Sequence, residues 1–482
     1  MAIAFVPVYI KYLGIEAYGL IGLFVVIQAW LALLDMGMTP TLTREMARFE
    51  AGEHSDQSIA NLMRTLEIVC FGFAALIFVA MAMAAGWLTN HWLQPVSLSL
   101  QTMEAAVRVA AVMVALRFVE GLYRGAIYGL QRQVWFNAVN AAVSTVRGVG
   151  VIAVLAWVAP TIEAFLIWQA AFSVIPVMLY AWKVHAVLPR ALQRVRFSSR
   201  ALADVGRFAG GMMGTTAAVL LLTQVDKVLL SRLLTLEDFG YYTLASAVSA
   251  ALLMLLGPIT TAVYPRMVAL ASGDESRPLS SLFHFAAQLV TVALVPAALV
   301  LAFHAQGVLF AWSGDAALAA RTAPVLSVLV IGTLLNGLLH VPYYLQLAHG
   351  WTGLALKANL VAVALLVPAI WWLVPIYGGI AAAWFWVALN AGYVVVSAPL
   401  MFRRLLPSEQ RAWYVRDLAV PASGVVAALV LTLSFQPTGY TDRWHWLAFL
   451  TLAAALSWVT AAALAPQVRA RLPRWHGRRR AP

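Results

Sequence analysis

Runs of about 20 predominantly apolar residues recur from one end of this 482-residue chain to the other. Each is long enough to cross a hydrocarbon core of about 30 Å as a helix. Hydrocarbon offers no partner for backbone N–H and C=O groups, so a spanning segment must satisfy them within itself or in a closed barrel. Strand-like alternation of apolar and polar residues is absent, which excludes an outer-membrane barrel. The composition leaves no room for a soluble alternative: 62% of residues are hydrophobic and 11% charged, against roughly 25% charged and under half apolar in a soluble domain. The expected fold is all-α and polytopic. About fourteen transmembrane helices are read at 1–12, 18–38, 66–88, 105–128, 134–158, 161–183, 208–231, 239–264, 282–304, 322–346, 352–374, 378–402, 417–436 and 445–465. The first run is short, since Met1 to Tyr12 rises only about 18 Å as a helix. Either the start is misassigned or the first helix is truncated.

The formal charge of +12 invites a nucleic-acid reading, but its placement argues against one. With the N-terminus in the cytoplasm, the inner connections hold 22 Lys and Arg and the outer ones four: Lys11, Arg232, Arg321 and Arg443. That bias is the positive-inside signature and puts both termini in the cytoplasm. The Arg478-Arg479-Arg480 tail adds attraction to anionic lipid heads. Cys70 is the single cysteine and falls in the third span, which excludes a disulfide within the chain and disfavours thiolate metal or redox chemistry.

The chain also repeats. Leu13-Gly14-Ile15-Glu16-Ala17-Tyr18-Gly19-Leu20 opens the second span, and Leu234-Thr235-Leu236-Glu237-Asp238-Phe239-Gly240-Tyr241 opens the eighth, 221 residues later. Gly121 and Tyr128 fall over Gly337 and Tyr344 at an offset of 216. Six spans separate each pair, so the copies are parallel repeats with a substrate cavity expected between two lobes. The expected domains are a six-helix bundle at 1–185, a basic cytoplasmic linker at 186–206, a second bundle at 207–404, two appended helices at 405–466 and a basic tail at 467–482.

Tyr12 to Leu20, then Leu33-Leu34-Asp35-Met36-Gly37-Met38, then Arg44-Glu45-Met46-Ala47-Arg48 resemble the N-terminal signature of Wzx-type oligosaccharide flippases. These are the polysaccharide-biosynthesis transporters of the multidrug/oligosaccharidyl-lipid/polysaccharide exporter superfamily. Asp226-Lys227, Gly240-Tyr241-Tyr242 and Tyr264-Pro265 resemble the same family's second half. The resemblance implies two six-helix bundles around a central cavity in a bacterial inner membrane. It also implies alternating access for a polyprenyl-diphosphate-linked glycan, with a polysaccharide polymerase and other assembly proteins as neighbours.

Ionisable residues within spans cost about 2.5–3.5 kcal/mol on insertion scales and are functional candidates by default. Arg117, Glu120 and Arg124 share a helix face with Tyr128, as either a cationic cavity strip or a self-neutralising ladder. Asn137, Asn140, Ser144 and Arg147 share a face of the next span, as a hydrated wall or as interhelical glue. Asp35 resembles the family's recurrent aspartate and is open to pairing with an arginine of the same bundle, to capping the helix end or to a transport role. Adjacent Asp226 and Lys227 point about 100° apart and are read as helix locks or coupling groups. Asn336, His340 and Tyr344 form a polar face on span ten, where His340 is a proton-transfer candidate or a hydrogen-bonded core residue. Lys357 is read as snorkelling, and Gly206, Gly210 and Gly214 as a packing device.

The spans hold five positive residues (Arg117, Arg124, Arg147, Lys227, Lys357) and three negative ones (Asp35, Glu120, Asp226). A net positive lining favours an anionic cargo, and arginine's planar fork suits a diphosphate. The leading reading is therefore a flippase whose cavity takes the diphosphate at Arg117, Arg124 and Arg147. A cation-coupled drug antiporter would call for a carboxylate-rich cavity. A glycan polymerase or ligase would call for a sizeable external loop with paired carboxylates or a nucleophile, and the outer loops reach only about 17 residues. A purely structural subunit would leave the buried arginines unexplained. No catalytic residue, metal site or cofactor is read, and no nucleic-acid partner.

Overall fold

The computed structural model describes residues 2–35, 38–189, 197–198, 220–221, 223–271, 276–440 and 442–471. These are helices and their connections, with no strand among the described residues. Among the described residues, ten helices are long and apolar enough to cross a membrane, and the ten coincide with ten of the expected spans. The other four differ for identifiable reasons. Ala2–Leu13 has 12 residues, and of the 20-residue apolar helix Ile15–Leu34 the part described in full is Ile15–Trp30. Leu100–Gly129 is long enough, but every 18-residue window in it holds at least three charged residues. The expected seventh span lies largely outside the described residues, as do Gly206, Gly210, Gly214 and most of the expected linker.

The chain forms two compact units, Met1–Gly240 and Tyr241–Pro482. The first contains α1 (Ala2–Leu13), α2 (Ile15–Leu34), α3 (Met38–Glu50), α4 (Asp56–Trp87), α5 (Leu100–Gly129), α6 (Gln133–Trp157), α7 (Ile162–Phe172) and α8 (Val174–Val187). Residues 223–233 are also helical, and the unit ends in the first turns of α9 (Leu236–Ala251). Helix α5 is the hub and packs on α3, α4, α7 and α8. Leu66, Val114, Leu122, Ala126 and Tyr180 fill its core.

Glycine sets the closest approach. A Cβ at Gly129 would lie 2.4 Å from the Thr43 carbonyl oxygen, and one at Gly125 would lie 2.8 Å from the Thr39 methyl carbon. Small residues four apart let α3 and α5 touch through their backbones, the usual way to join helices in lipid. Thr43 Oγ1 donates to the Gly125 carbonyl at 2.9 Å across that seam. Between α1 and α2 the chain turns at Gly14, whose φ of +82° is a conformation that L side chains rarely adopt.

The repeated motif is itself a packing device. Glu16 is 6% exposed, and its carboxylate accepts from Val96 N at 2.6 Å, from Ser97 N at 2.9 Å and from the Ser97 hydroxyl. It thereby pins α2 to the segment before α5. Gly19 and Gly240, the matching glycines of the two copies, lie against each other's helix. A Cβ at Gly19 would sit 2.4 Å from the Leu236 carbonyl oxygen, and one at Gly240 would sit 2.3 Å from that of Ile15.

The second unit contains the rest of α9, then α10 (Leu256–Ala271), α11 (Ser276–Phe303), α12 (Ala305–Ser313), α13 (Ala316–Leu338), α14 (His340–Ala348) and α15 (Gly353–Tyr377). The helices Gly379–Leu405 (α16), Gln410–Phe435 (α17) and Arg443–Ala463 (α18) complete it. Helix α11 is the hub here and packs on α10, α13, α17 and α18. The last two helices lack a sequence copy in the first half, yet they are built into this core. A buried polar network ties them down: His284 bonds Asp417 through Nδ1 and Glu409 through Nε2, the latter at 2.9 Å. Gln288 donates to Asp417 Oδ1 at 2.8 Å and accepts from Gln467 N at 2.8 Å. Every member shown has its partner, as a buried polar group requires.

Candidate functional site

The described cavity that gathers charged residues lies within the first unit. It has a volume of about 540 Å³, inside the range of about 300–1,000 Å³ of small-ligand sites. Helix α1 contributes Phe5 and Tyr9, α2 Tyr18 and Gln28, and α5 Met113 and Arg117. Helix α6 contributes Asn137, Asn140, Ser144 and Arg147, and α7 Phe165 and Gln169. One wall is aromatic: Tyr9 meets the Phe165 ring edge-on at 5.3 Å and stacks on Phe5 at 6.3 Å. The facing wall is the polar stripe of α6, whose members recur at one-turn spacing and so point the same way.

Two glycines around Arg147 let this wall form. A Cβ at Gly148 would sit 2.5 Å from the Phe5 ring, and one at Gly150 would sit 2.2 Å from the Trp168 ring. Trp168 then donates its indole N–H to the Arg147 carbonyl at 3.2 Å, fixing α6 against α7. Arg147 is close enough to Arg117 to be repelled by it, while Glu120 and the rings of Tyr9 and Tyr180 lie within electrostatic reach. Arg117 Nε is buried and has no hydrogen-bond partner among the described residues. A buried donor left unmade costs about 1–3 kcal/mol, more when charged, so this wall is short of acceptors. Two guanidiniums against one carboxylate leave it net positive.

The other expected residues fall elsewhere. Arg124, two turns beyond Arg117, is exposed and does not line the cavity; it exerts its attraction on Asp35. Glu120 is half-buried, and no ion pair within 4.0 Å joins it to Arg117 or Arg124 among the described residues. Asp35 accepts from Thr39 N at 3.2 Å and from Thr39 Oγ1 at 2.8 Å, at the start of α3. Asp226 and Lys227 pair with each other at 3.6 Å, and Lys227 donates to the Thr223 carbonyl at 3.0 Å.

In the second unit, Asn336 donates to Asn390 Oδ1 of α16 at 2.9 Å, and Asn390 donates to the Trp386 carbonyl at 2.8 Å. His340 Nδ1 lies 3.1 Å from the Asn336 carbonyl oxygen, and Tyr344 packs on the Tyr264 ring at 5.3 Å. These three residues join helices or close a turn. Sequence reasoning missed the aromatic wall and two amides, Gln28 and Gln169. The amides were findable, since each interrupts an otherwise apolar run.

The sequence profile of the family described as polysaccharide biosynthesis protein matches residues 1–271. A Shigella flexneri protein provisionally named an O-antigen transporter is 20% identical over 384 residues, covering 78% of this chain and 87% of that one. Among solved structures, the lipid II flippase MurJ in an inward closed conformation aligns with a TM-score of 0.71 at 11% identity, over 97% of each chain. An inward-facing multidrug resistance MATE family transporter aligns at 0.63 and 12% identity, over 86% of this chain and 94% of that one. The fold is shared with both, and it is that of a multi-pass membrane protein. By the extent of the profile match, the chain belongs to the polysaccharide biosynthesis protein family.

Proposed function

We propose that this protein is a flippase that carries a polyprenyl-diphosphate-linked oligosaccharide across a bacterial cytoplasmic membrane for surface polysaccharide assembly. The observation that carries the reading is the arginine-bearing wall, where Arg117 and Arg147 border one cavity and Arg117 holds a buried donor without an acceptor among the described residues. A diphosphate supplies the missing acceptors in the forked geometry that guanidinium prefers. Asn137, Asn140 and Gln169 offer both donors and acceptors to sugar hydroxyls. The polyprenyl tail stays in the bilayer. Moving the headgroup requires the site to open to each side in turn, and the two lobes, 1–185 and 207–404, provide the moving bodies. Arg124, exposed and beyond Arg117, suits an entry contact for the diphosphate. Both termini lie in the cytoplasm on the strength of the basic-residue bias. The protein acts without chemical change to its cargo, and a polysaccharide polymerase is the expected recipient.

Likeness in fold to a MATE transporter raises a second reading, a cation-coupled drug antiporter. Such a site needs carboxylates to hold a cation, and among the described residues no Asp or Glu lines this cavity, Glu120 being a carboxylate within electrostatic reach of Arg147. The test is complementation of a bacterial strain that lacks its own O-antigen flippase. Restored surface polysaccharide supports the proposal. Correct insertion with no surface polysaccharide, together with efflux of cationic dyes, supports the antiporter and sinks the flippase reading.

A further inference from the structure

A second cavity lies wholly within the second unit, at the end that the basic-residue bias assigns to the cell exterior. It measures about 230 Å³ and is enclosed by the junction of α11 and α12, by α13, by the start of α18 and by the segment 436–440. His304 is among its lining residues. The residue is 5% exposed, and its Nε2 is buried without a hydrogen-bond partner among the described residues. Its ring is held edge-on against Phe449 at 5.0 Å, which fixes the orientation of the imidazole.

The walls are aromatic and rigid. Tyr440 and Trp446 stack at 5.1 Å with planes 4° apart, and Tyr440 meets Phe310 edge-on at 5.7 Å. Trp446 donates its indole N–H to the Gly439 carbonyl at 2.8 Å, which fixes the connection between α17 and α18. The Trp446 ring rests on Gly307, where a Cβ would lie 2.1 Å away. Gln306, Ser327 and Gln436 add uncharged polar groups to the lining, and among the described residues no Asp, Glu, Lys or Arg takes part.

Uncharged amides, one imidazole and aromatic rings match a neutral polyol. Hydroxyls exchange hydrogen bonds with groups that both donate and accept, and the C–H faces of a sugar lie on aromatic surface. Phosphate would need cations, and a lipid tail would leave His304 unsatisfied. The volume is below the roughly 300–1,000 Å³ of larger ligand sites and suits one ring rather than a chain.

We infer that this pocket binds a single neutral sugar ring, as a subsite that receives the glycan on the outer side of the membrane. Its place in export rests on the flippase reading; its ability to bind sugar does not. The test is saturation-transfer NMR on the full chain in lipid nanodiscs. The probes are free D-glucose, D-galactose, N-acetyl-D-glucosamine and L-rhamnose at millimolar concentration, with D-glucuronate and inorganic pyrophosphate as charged comparisons. At least one neutral sugar should receive saturation. His304→Phe, which keeps a ring and removes the nitrogen, and Gln436→Ala, at an exposed position, should each weaken that signal at least fivefold. Arg132→Ala, an exposed position that borders neither cavity, should leave it unchanged.

Unaltered melting of Gln436→Ala guards against simple misfolding. No sugar signal above empty nanodiscs, or a signal that survives both pocket variants, overturns the inference. Because complementation is scored separately, surface polysaccharide without sugar binding sinks the subsite alone. Sugar binding without complementation sinks the flippase reading alone.

Discussion

Two stretches of helix carry polar residues at one-turn intervals: α6, with Asn137, Asn140, Ser144 and Arg147, and α13–α14, with Asn336, His340 and Tyr344. In the second unit the stripe is used up by neighbours. Asn336 is bonded to Asn390, His340 faces the Asn336 carbonyl one turn before it, and Tyr344 packs on the Tyr264 ring. In the first unit the stripe faces a cavity of about 540 Å³ lined also by Arg117, whose Nε has no partner among the described residues. A polar stripe in a membrane helix therefore has two meanings. What separates them is whether a matching polar residue sits across the helix interface or whether the space is left open.

That contrast is open to test, beginning with the largest effect. Arg117→Ala and Arg147→Ala should each cut surface polysaccharide at least tenfold, and nearly abolish it together, while insertion and melting stay as they were. Each lost charge-assisted bond is worth about 1.5–3 kcal/mol, or about 10- to 100-fold in binding. Arg147→Lys should recover only part, because a point charge cannot fork a phosphate. Next, Asp417→Ala should destabilise the second unit by about 3–5 kcal/mol, since it strands His284 and Gln288 in a buried site. A fluorescence-detected melt in detergent reads this out, and an unchanged melting temperature would show that the network does not hold the last two helices.

Asn336→Leu should cost far less, about 0.6–1.7 kcal/mol as for interhelical bonds in membranes, with surface polysaccharide within twofold of the parent. Tenfold loss of transport in Asn336→Leu would erase the distinction between the two stripes. The smallest effect concerns pH. Burial alone would raise the Glu409 carboxyl, but hydrogen bonds from Ser280 and His284 and the nearby Arg416 charge together hold it below the usual range. A lowered folded value contributes stability that is present above the ordinary glutamate pKa of about 4.3 and is lost as pH falls through the lowered value. Melting temperature should therefore decline below about pH 4, and less steeply in Glu409→Gln.

Much of the architecture was legible in the sequence because lipid enforces it. Ten expected spans coincide with helices long and apolar enough to cross, and Arg117, Asn137, Asn140 and Arg147 were marked by their charge or by one-turn spacing. What was not legible depends on residues far apart in the chain. Glu16 was visible as part of a repeated motif, but its role comes from Val96 and Ser97, 80 and 81 positions away. His284 and Asp417 are 133 apart, and each alone resembles an ordinary polar residue at a span end. The seams at Gly125 and Gly129 were hidden by the charges of α5, which drew attention to the opposite property of the same helix. Spacing along one helix shows which residues share a face; it does not show what that face meets.

The central claim is that Arg117 and Arg147 hold a diphosphate during translocation. The most direct measurement is transfer of an undecaprenyl-diphosphate-linked oligosaccharide across proteoliposomes that contain the purified protein or its Arg117→Ala and Arg147→Ala variants, with inorganic pyrophosphate as competitor. The account predicts transfer by the parent, inhibition by pyrophosphate, and a rate at least tenfold lower in each variant. Equal rates in parent and variants, with no effect of pyrophosphate, would contradict it.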